Sequence, residues 1–225
     1  MLRKTQNSYV WLGILCFGLT SQAAAKEPAS LPAPISVAVY NDVGVPTDTL
    51  LQAEQVAIRV FREAKMNVEW VNCATGLSAA QNPVSCGQAI FPSYLQLRIA
   101  AHPRTLSESA FGVSYMSNEG VGCYSNVFYA RVEELHRTFN HSEAMILGHV
   151  MAHEIGHLLL GVNSHAVTGI MSAHWYKGEL ASASRGALLF NGTESNIMRQ
   201  RVSSTVLTAN KDLVPIVPVS GAEGR

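Results

Sequence analysis

The sequence predicts an α+β fold: a twisted mixed β-sheet backed by one helix, a long central helix that carries the chemistry, and further helices toward the C-terminal end. Three observations carry this. Short runs with strand character are concentrated before residue 130, residues 142–160 form a helix apolar on nearly every side, and amphipathic helical stretches follow it. Hydrophobic residues make up 48% and charged residues 14% of the 225, enough apolar surface for a core without a metal or disulfide staple. A metal site in such a chain is therefore read as functional rather than structural.

The elements follow in order. Residues 26–34 (KEPASLPAP) read as an exposed lead-in. ISVAVYN, 35–41, is an apolar run of buried-strand length that closes on the turn residues Asn41 and Asp42. A helix is predicted from Thr49 to Met66, with Leu50, Val56, Ile58, Val60 and Phe61 on its apolar side and Arg59, Arg62 and Lys65 suited to its last turns. VEWV, 68–71, is a short strand, and 73–92 a loop rich in Gly, Pro, Asn and Ser. From Tyr94 to Ala100, Leu95, Leu97 and Ile99 alternate with Gln96 and Arg98, the pattern of a half-buried strand. After a loop over 101–110, Phe111–Tyr115 and Tyr124–Tyr129 read as two strands joined by a glycine-rich turn. The central helix has two possible starts: a capping box of Asn140 with Glu143, or Ser142 as the cap. Gly161 ends it. Helices are expected near 178–189 and 193–204, and a poorly ordered tail from about 207.

The first 25 residues are set apart from this domain, which spans 26–206. Arg3 and Lys4 form a positive start, YVWLGILCFGL a short apolar run, and Ala23-Ala24-Ala25 a small-residue cleavage site. This is a signal peptide by pattern, too short in its apolar part to span a bilayer comfortably. Cleavage would leave Lys26 first, a secreted or periplasmic product, and no membrane association. In an oxidising compartment Cys73 and Cys86 are expected to pair across the loop between them, leaving Cys123 as a buried free thiol or, on a sharper reading, a thiolate capping a latent metal. The net charge of zero, without a basic stripe, excludes a nucleic-acid partner.

The chemistry is carried by His153-Glu154-Ile155-Gly156-His157, an H-E-x-x-H on the central helix. Histidines four apart share a helix face, so both imidazoles can reach one zinc ion. Glu154 beside them is placed to take a proton from water rather than to bind metal. Two buried histidines and a glutamate on an otherwise apolar helix need a reason to be there.

The segment HEIGHLLLGVNSHAVTGIMSAHW, from His153 to Trp175, resembles the metzincin clan of zinc proteases, whose pattern is H-E-x-x-H-x-x-G-x-x-H with a methionine turn beneath the metal. It is also similar to a group of secreted bacterial proteins with HLLLG-x-NSH followed by GIM, a similarity that extends to VFYARVEEL before the helix. The resemblance implies a single zincin-like domain with Zn2+ bound by His153, His157 and His165, Glu154 as catalytic base, Gly161 turning the chain, and Met171 in the turn. The spacing here is H-E-x-x-H-x-x-x-G-x-x-x-H, one residue longer on each side of the glycine, and Met171 follows His165 closely.

Several other residues have an ordinary role beside a functional one. In a thermolysin-like alternative a downstream glutamate completes the metal site, and Glu179 is the candidate. Tyr176 could stabilise an oxyanion but reads by default as packing. His149 reads as a satisfied buried histidine, His174 as a surface-loop residue, Met145 and Met151 as core. His102, His136 and His141 carry no site signal, and Asn191-Gly192-Thr193 matches a glycosylation sequon. The function expected is a monomeric secreted zinc metalloendopeptidase acting on peptide or protein. Alternatives are a non-catalytic zinc-bound binding protein on the same scaffold, which has no need of Glu154, and a zinc hydrolase of a non-peptide bond.

Overall fold

The structure is a computed structural model that describes residues 34–74, 81–102 and 110–211, with side chains described through 206. The signal-peptide segment, most of the lead-in, part of the 101–110 loop and residues 212–225 lie outside the described residues.

Five strands form one mixed sheet in the order β2-β1-β3-β5-β4: β1 (Ile35–Asn41), β2 (Val68–Cys73), β3 (Tyr94–Ala100), β4 (Gly112–Tyr115) and β5 (Tyr124–Phe128). β1, β2, β3 and β5 run parallel, and β4 pairs antiparallel with β5 as an edge strand. The inward residues of β3, Leu95, Leu97 and Ile99, are fully buried, while Arg98 faces out and pairs with Asp42 at 2.5 Å. Helix α1 (Thr47–Glu63) packs against the long helix α3 (Glu143–Leu160). Ala53, Ala57, Val60 and Phe61 from α1 and Ile146, Leu147, Val150, Met151, Ile155 and Leu158 from α3 complete one core with the sheet. No helix among the described residues is long and apolar enough to cross a membrane.

Several boundaries differ from the sequence reading. α1 begins directly after Pro46 and ends before Lys65, whose φ of 58° puts it in the left-handed region that closes a helix. β2 continues to Cys73, because the register with β1 carries on to the Tyr40–Cys73 pair. The run expected as a strand through Tyr129 stops at Phe128, and an unforeseen helix α2 occupies Tyr129–Phe139. Only Val132 and Leu135 of α2 are buried, too thin a stripe to register against the preceding strand alternation. Asn140 does not cap α3; it closes α2 in the left-handed conformation, with φ 53°. Ser142 is the cap of α3, its Oγ accepting the Met145 N–H at 3.4 Å. Helix α4 is shorter than expected (Lys177–Ser184), and α5 longer (Gly192–Lys211), so helical backbone continues to 211 where a tail was expected from 207. Asn191 and Glu194 form a reciprocal capping box at the start of α5, at 2.9 and 2.8 Å.

Cys73 and Cys86 are joined in a disulfide, tying β2 to a short 3₁₀ turn at Val84–Gly87. Cys123 is free and half-buried, its thiol pKa pushed up by burial.

Candidate metal centre

Helix α3 runs under the sheet with its C-terminal half aimed at β4, and it carries His153, Glu154 and His157 buried at 1%, 2% and 4% exposure. Two turns after the helix fix the histidine rings. Gly161 takes φ 73° and closes α3, its N–H donating to His157 O at 2.9 Å. The chain then reverses, and His157 Nδ1 donates to Val162 O at 2.9 Å. Farther on, Gly169-Ile170-Met171 turns beneath the helix, and His153 Nδ1 donates to Ile170 O at 2.7 Å. Met171 is buried, and its Sδ lies 3.0 Å from the position a Cβ on Gly156 would occupy. The carbonyls thus hold each proton on Nδ1 and leave each Nε2 bare.

The two bare Nε2 atoms face each other at 3.1 Å. Neutral imidazole lone pairs at that distance repel unless a proton or a cation lies between them. A proton is disfavoured, because burial, reinforced by the neighbouring histidines, pushes the pKa of His153 down to about 3 and that of His157 to about 4. A divalent cation fits. Two nitrogens about 2.0–2.1 Å from a tetrahedral zinc stand roughly 3.3 Å apart.

The chain returns to this pair through a small closed loop, in which Ala166 N–H donates to Met171 O at 2.8 Å. That loop brings the exposed His165 ring to 5.4 Å from the His153 ring and 4.9 Å from the His157 ring, centre to centre. One nitrogen of each of the three lies within 4.8 Å of the others. Of the two residues added to the spacing, one lengthens the end of α3 before Gly161 and the other lies in the turn from Gly161 to His165. Among the described residues this is the one cluster that could hold a metal, and neutral imidazoles are the donor set that suits Zn2+.

Glu154 sits beside His153. Its Oε1 lies 4.0 Å from His153 Nε2, and its Oε2 is 3.0 Å from Ser114 Oγ on β4. Burial pushes its pKa up to about 8, against the opposing effect of Ser114 and Ser125. Both groups open on a cleft of about 550 Å³ between β4 and the His165 loop, lined also by Phe111, Asn163 and His174.

The remaining candidates fall elsewhere. Glu179 accepts the Tyr176 N–H at 2.9 Å and so caps α4; it is not among the clustered ligand atoms. Tyr176 is 64% exposed, with its ring 6.3 Å from that of His174. His174, expected as a surface-loop residue, is exposed but lines the cleft and, after burial, is the second cause holding the His165 pKa down. His149 is buried one turn before His153. Its Nδ1 donates to Met145 O at 2.8 Å, but its Nε2 has no partner among the described residues, so it is only half satisfied. Cys123 is not part of the cluster.

Sequence reasoning missed Gly112, Ser114 and Ser125. The alternation in GVSY puts Gly112 and Ser114 on one face of a strand, but nothing local says that this face meets Glu154.

No family model matches the sequence, and no curated protein matches it. Solved structures do resemble it. A zinc-dependent peptidase from Methanocorpusculum labreanum aligns over 72% of this chain and 99% of its own, at 16% identity and a TM-score of 0.46. Archaemetzincin from Methanopyrus kandleri aligns over 79% and 99%, at 16% identity and 0.47. Metalloproteinase-II from Bacteroides fragilis aligns over 79% and 55%, at 15% identity and 0.48.

Proposed function

We propose that this chain is a secreted zinc-dependent endopeptidase in which His153, His157 and His165 hold the metal and Glu154 is the general base. The observation that carries the proposal is the facing pair of unprotonated Nε2 atoms, with a buried carboxylate beside them at the wall of an open cleft. When bound, zinc supplies Lewis acidity, polarising the scissile carbonyl and acidifying a water. Glu154 takes the proton of the attacking water at Oε1 and delivers it to the leaving amine.

The position of β4 supports an internal peptide bond as the target. Among the described residues β4 is an edge strand of the sheet, and Gly112, Val113 and Ser114 of it line the cleft, so an extended chain can add there as a further strand. That mode of binding grips the middle of a polypeptide rather than its end. Secretion is supported by the charged, apolar and small-residue order of residues 1–25 and by the Cys73–Cys86 disulfide, which belongs to an oxidising compartment.

The test is metal analysis of purified protein together with cleavage of denatured casein. About one zinc per chain, internal cleavage products and loss of cleavage on chelation are expected. Glu154→Gln should retain the zinc and lose turnover by a factor of at least about 100. A chain that binds no zinc, or a Glu154→Gln variant at full activity, would refute the assignment.

A further inference from the structure

We infer that Ser114, oriented by Ser125, is the residue that positions Glu154, holding Oε2 on β4 so that Oε1 is left to face the histidine pair; this rests on the catalytic reading of Glu154 above. Ser114 and Ser125 are directly opposite in the antiparallel β4–β5 register, so their side chains leave the sheet on the same face. Both are buried, at 4% and 2% exposure, where a hydroxyl without a partner would be costly. Their oxygens are 3.0 Å apart. Ser114 Oγ is also 3.0 Å from Glu154 Oε2 and 2.8 Å from Glu154 O.

The proton inventory gives the pair a direction. Each hydroxyl has one hydrogen and two acceptor sites. The single Ser114 hydrogen has two acceptors on Glu154, the carbonyl O at 2.8 Å and Oε2 at 3.0 Å; a zinc cation at the histidine pair favours the ionised carboxylate, and an ionised Oε2 draws the hydrogen as a charge-assisted bond, about twice as strong as a neutral one. Ser125 can then donate to Ser114 Oγ, or to Val113 O at 3.3 Å, and its closer partner is Ser114. The chain Ser125 → Ser114 → Glu154 Oε2 ends on one carboxylate oxygen. The other, Oε1, is the one 4.0 Å from His153 Nε2. A free glutamate has three side-chain torsions and samples many rotamers; this bond holds the carboxylate in one of them, with its working oxygen toward the metal site. Gly112 makes the contact possible, since β4 lies so close to α3 that a Cβ there would come within 2.7 Å of Glu154 Cδ.

The inference is tested with Ser114→Ala, Ser125→Ala and the double variant in the full chain, with Glu154→Gln alongside. Zinc content, KM and kcat on denatured casein, and the infrared carboxylate stretch removed by Glu154→Gln are measured for each. Ser114→Ala should lower kcat by about 10- to 100-fold at unchanged KM and zinc content, and should shift the Glu154 carboxylate band. Ser125→Ala should have a smaller effect on kcat, and little further effect when added to Ser114→Ala, because its closest side-chain partner is Ser114. Ser114→Thr, which keeps the hydroxyl, should recover most of kcat. Full kcat with an unmoved band in Ser114→Ala, beside an inactive Glu154→Gln, overturns the role of Ser114 alone. Loss of zinc together with kcat in both alanine variants also overturns it, since the pair would then support the fold rather than Glu154. An active Glu154→Gln overturns the catalytic reading itself.

Discussion

Gly112 and His165 show how single residues tie the site to the fold. A Cβ on Gly112 would lie 2.0 Å from Asn126 O and 2.7 Å from Glu154 Cδ, so any side chain there must push β4 off the helix or Glu154 out of place. Gly112→Ala should therefore cut turnover by about 100-fold or more, the loss expected when a general base is displaced, while zinc affinity stays within a few-fold of wild type. A variant that cleaves normally would show that β4 does not set the position of Glu154. His165 and Glu179 separate in the same way. Catalytic zinc takes three protein ligands and a water, and His165 is the third nitrogen near the pair while Glu179 is engaged in capping α4. His165→Ala should weaken zinc binding by orders of magnitude in a chelator competition. Glu179→Ala should keep the metal and lose about 0.5–2 kcal/mol of stability with its cap. The reverse result would move the third ligand to the glutamate.

At the scale of elements, the end of α3 is where helix, turn and metal site are joined. Gly161 has φ 73°, and a Cβ on it would lie 2.4 Å from the Arg201 guanidinium. Arg201 in turn donates to Leu159 O and Gly120 O at 3.1 and 2.7 Å, linking α5, α3 and the turn before β5. Gly161→Ala should cost about 1–2 kcal/mol in left-handed strain alone, plus the displacement of Arg201. Because the next residue supplies the carbonyl that holds His157, zinc affinity should fall with it, measured by urea unfolding and zinc titration on the same sample. The disulfide belongs to the opposite end of the sheet. Cys86→Ser should cost about 2–3 kcal/mol by loop entropy and leave zinc affinity unchanged, since β2 is the far edge from β4.

Over the whole molecule, the buried titratable groups of the site set how stability depends on pH when no metal is present. His153 and His157 have folded pKa values of about 3 and about 4, below the ordinary 6.5, so the unfolded chain binds more protons and stability is lost as pH falls from about 6.5. Glu154 has a folded value of about 8, above the ordinary 4.5, so the folded chain binds the extra proton and stability is lost as pH rises toward 8. Among these three, two histidines outweigh one glutamate below pH 6.5, and the glutamate acts alone above it. His149 and His165, also lowered, add to the acid limb, and Glu54 and Glu194, also raised, add to the alkaline one, so the metal-free protein should lose stability on both sides of about pH 6.5, as read from urea midpoints in chelator at pH 5, 6.5 and 8. A midpoint that climbs steadily from pH 5 to 8 would contradict the burial of Glu154. Adding zinc at pH 7 should raise stability by about 2.7 kcal/mol at a free concentration of 100 times Kd.

The parts of this protein that were legible in its sequence are those encoded over a few neighbouring residues. An apolar helix with histidines four apart declares itself because the helix repeat alone puts both rings on one face. The Leu95-Leu97-Ile99 alternation marks β3 for the same reason, and Gly161 marks a helix end because only left-handed backbone is needed there. α2 escaped, since its two buried residues follow directly on a strand pattern and carry too little periodicity to break it. The partners that complete the site were illegible for a different reason. Ser114 and Ser125 reach Glu154 from strands, and Ile170 O reaches His153 from a turn 17 residues on, through contacts that no repeat of helix or strand encodes. His165 stands between the two cases: it was named from a motif whose spacing it does not keep, and it lies beside the pair because the loop from Gly161 to Met171 folds back on itself. Spacing along the chain limits how far a side chain can reach, but sheet register and loop closure select which atoms meet, and those depend on the packing of α3 against the whole sheet.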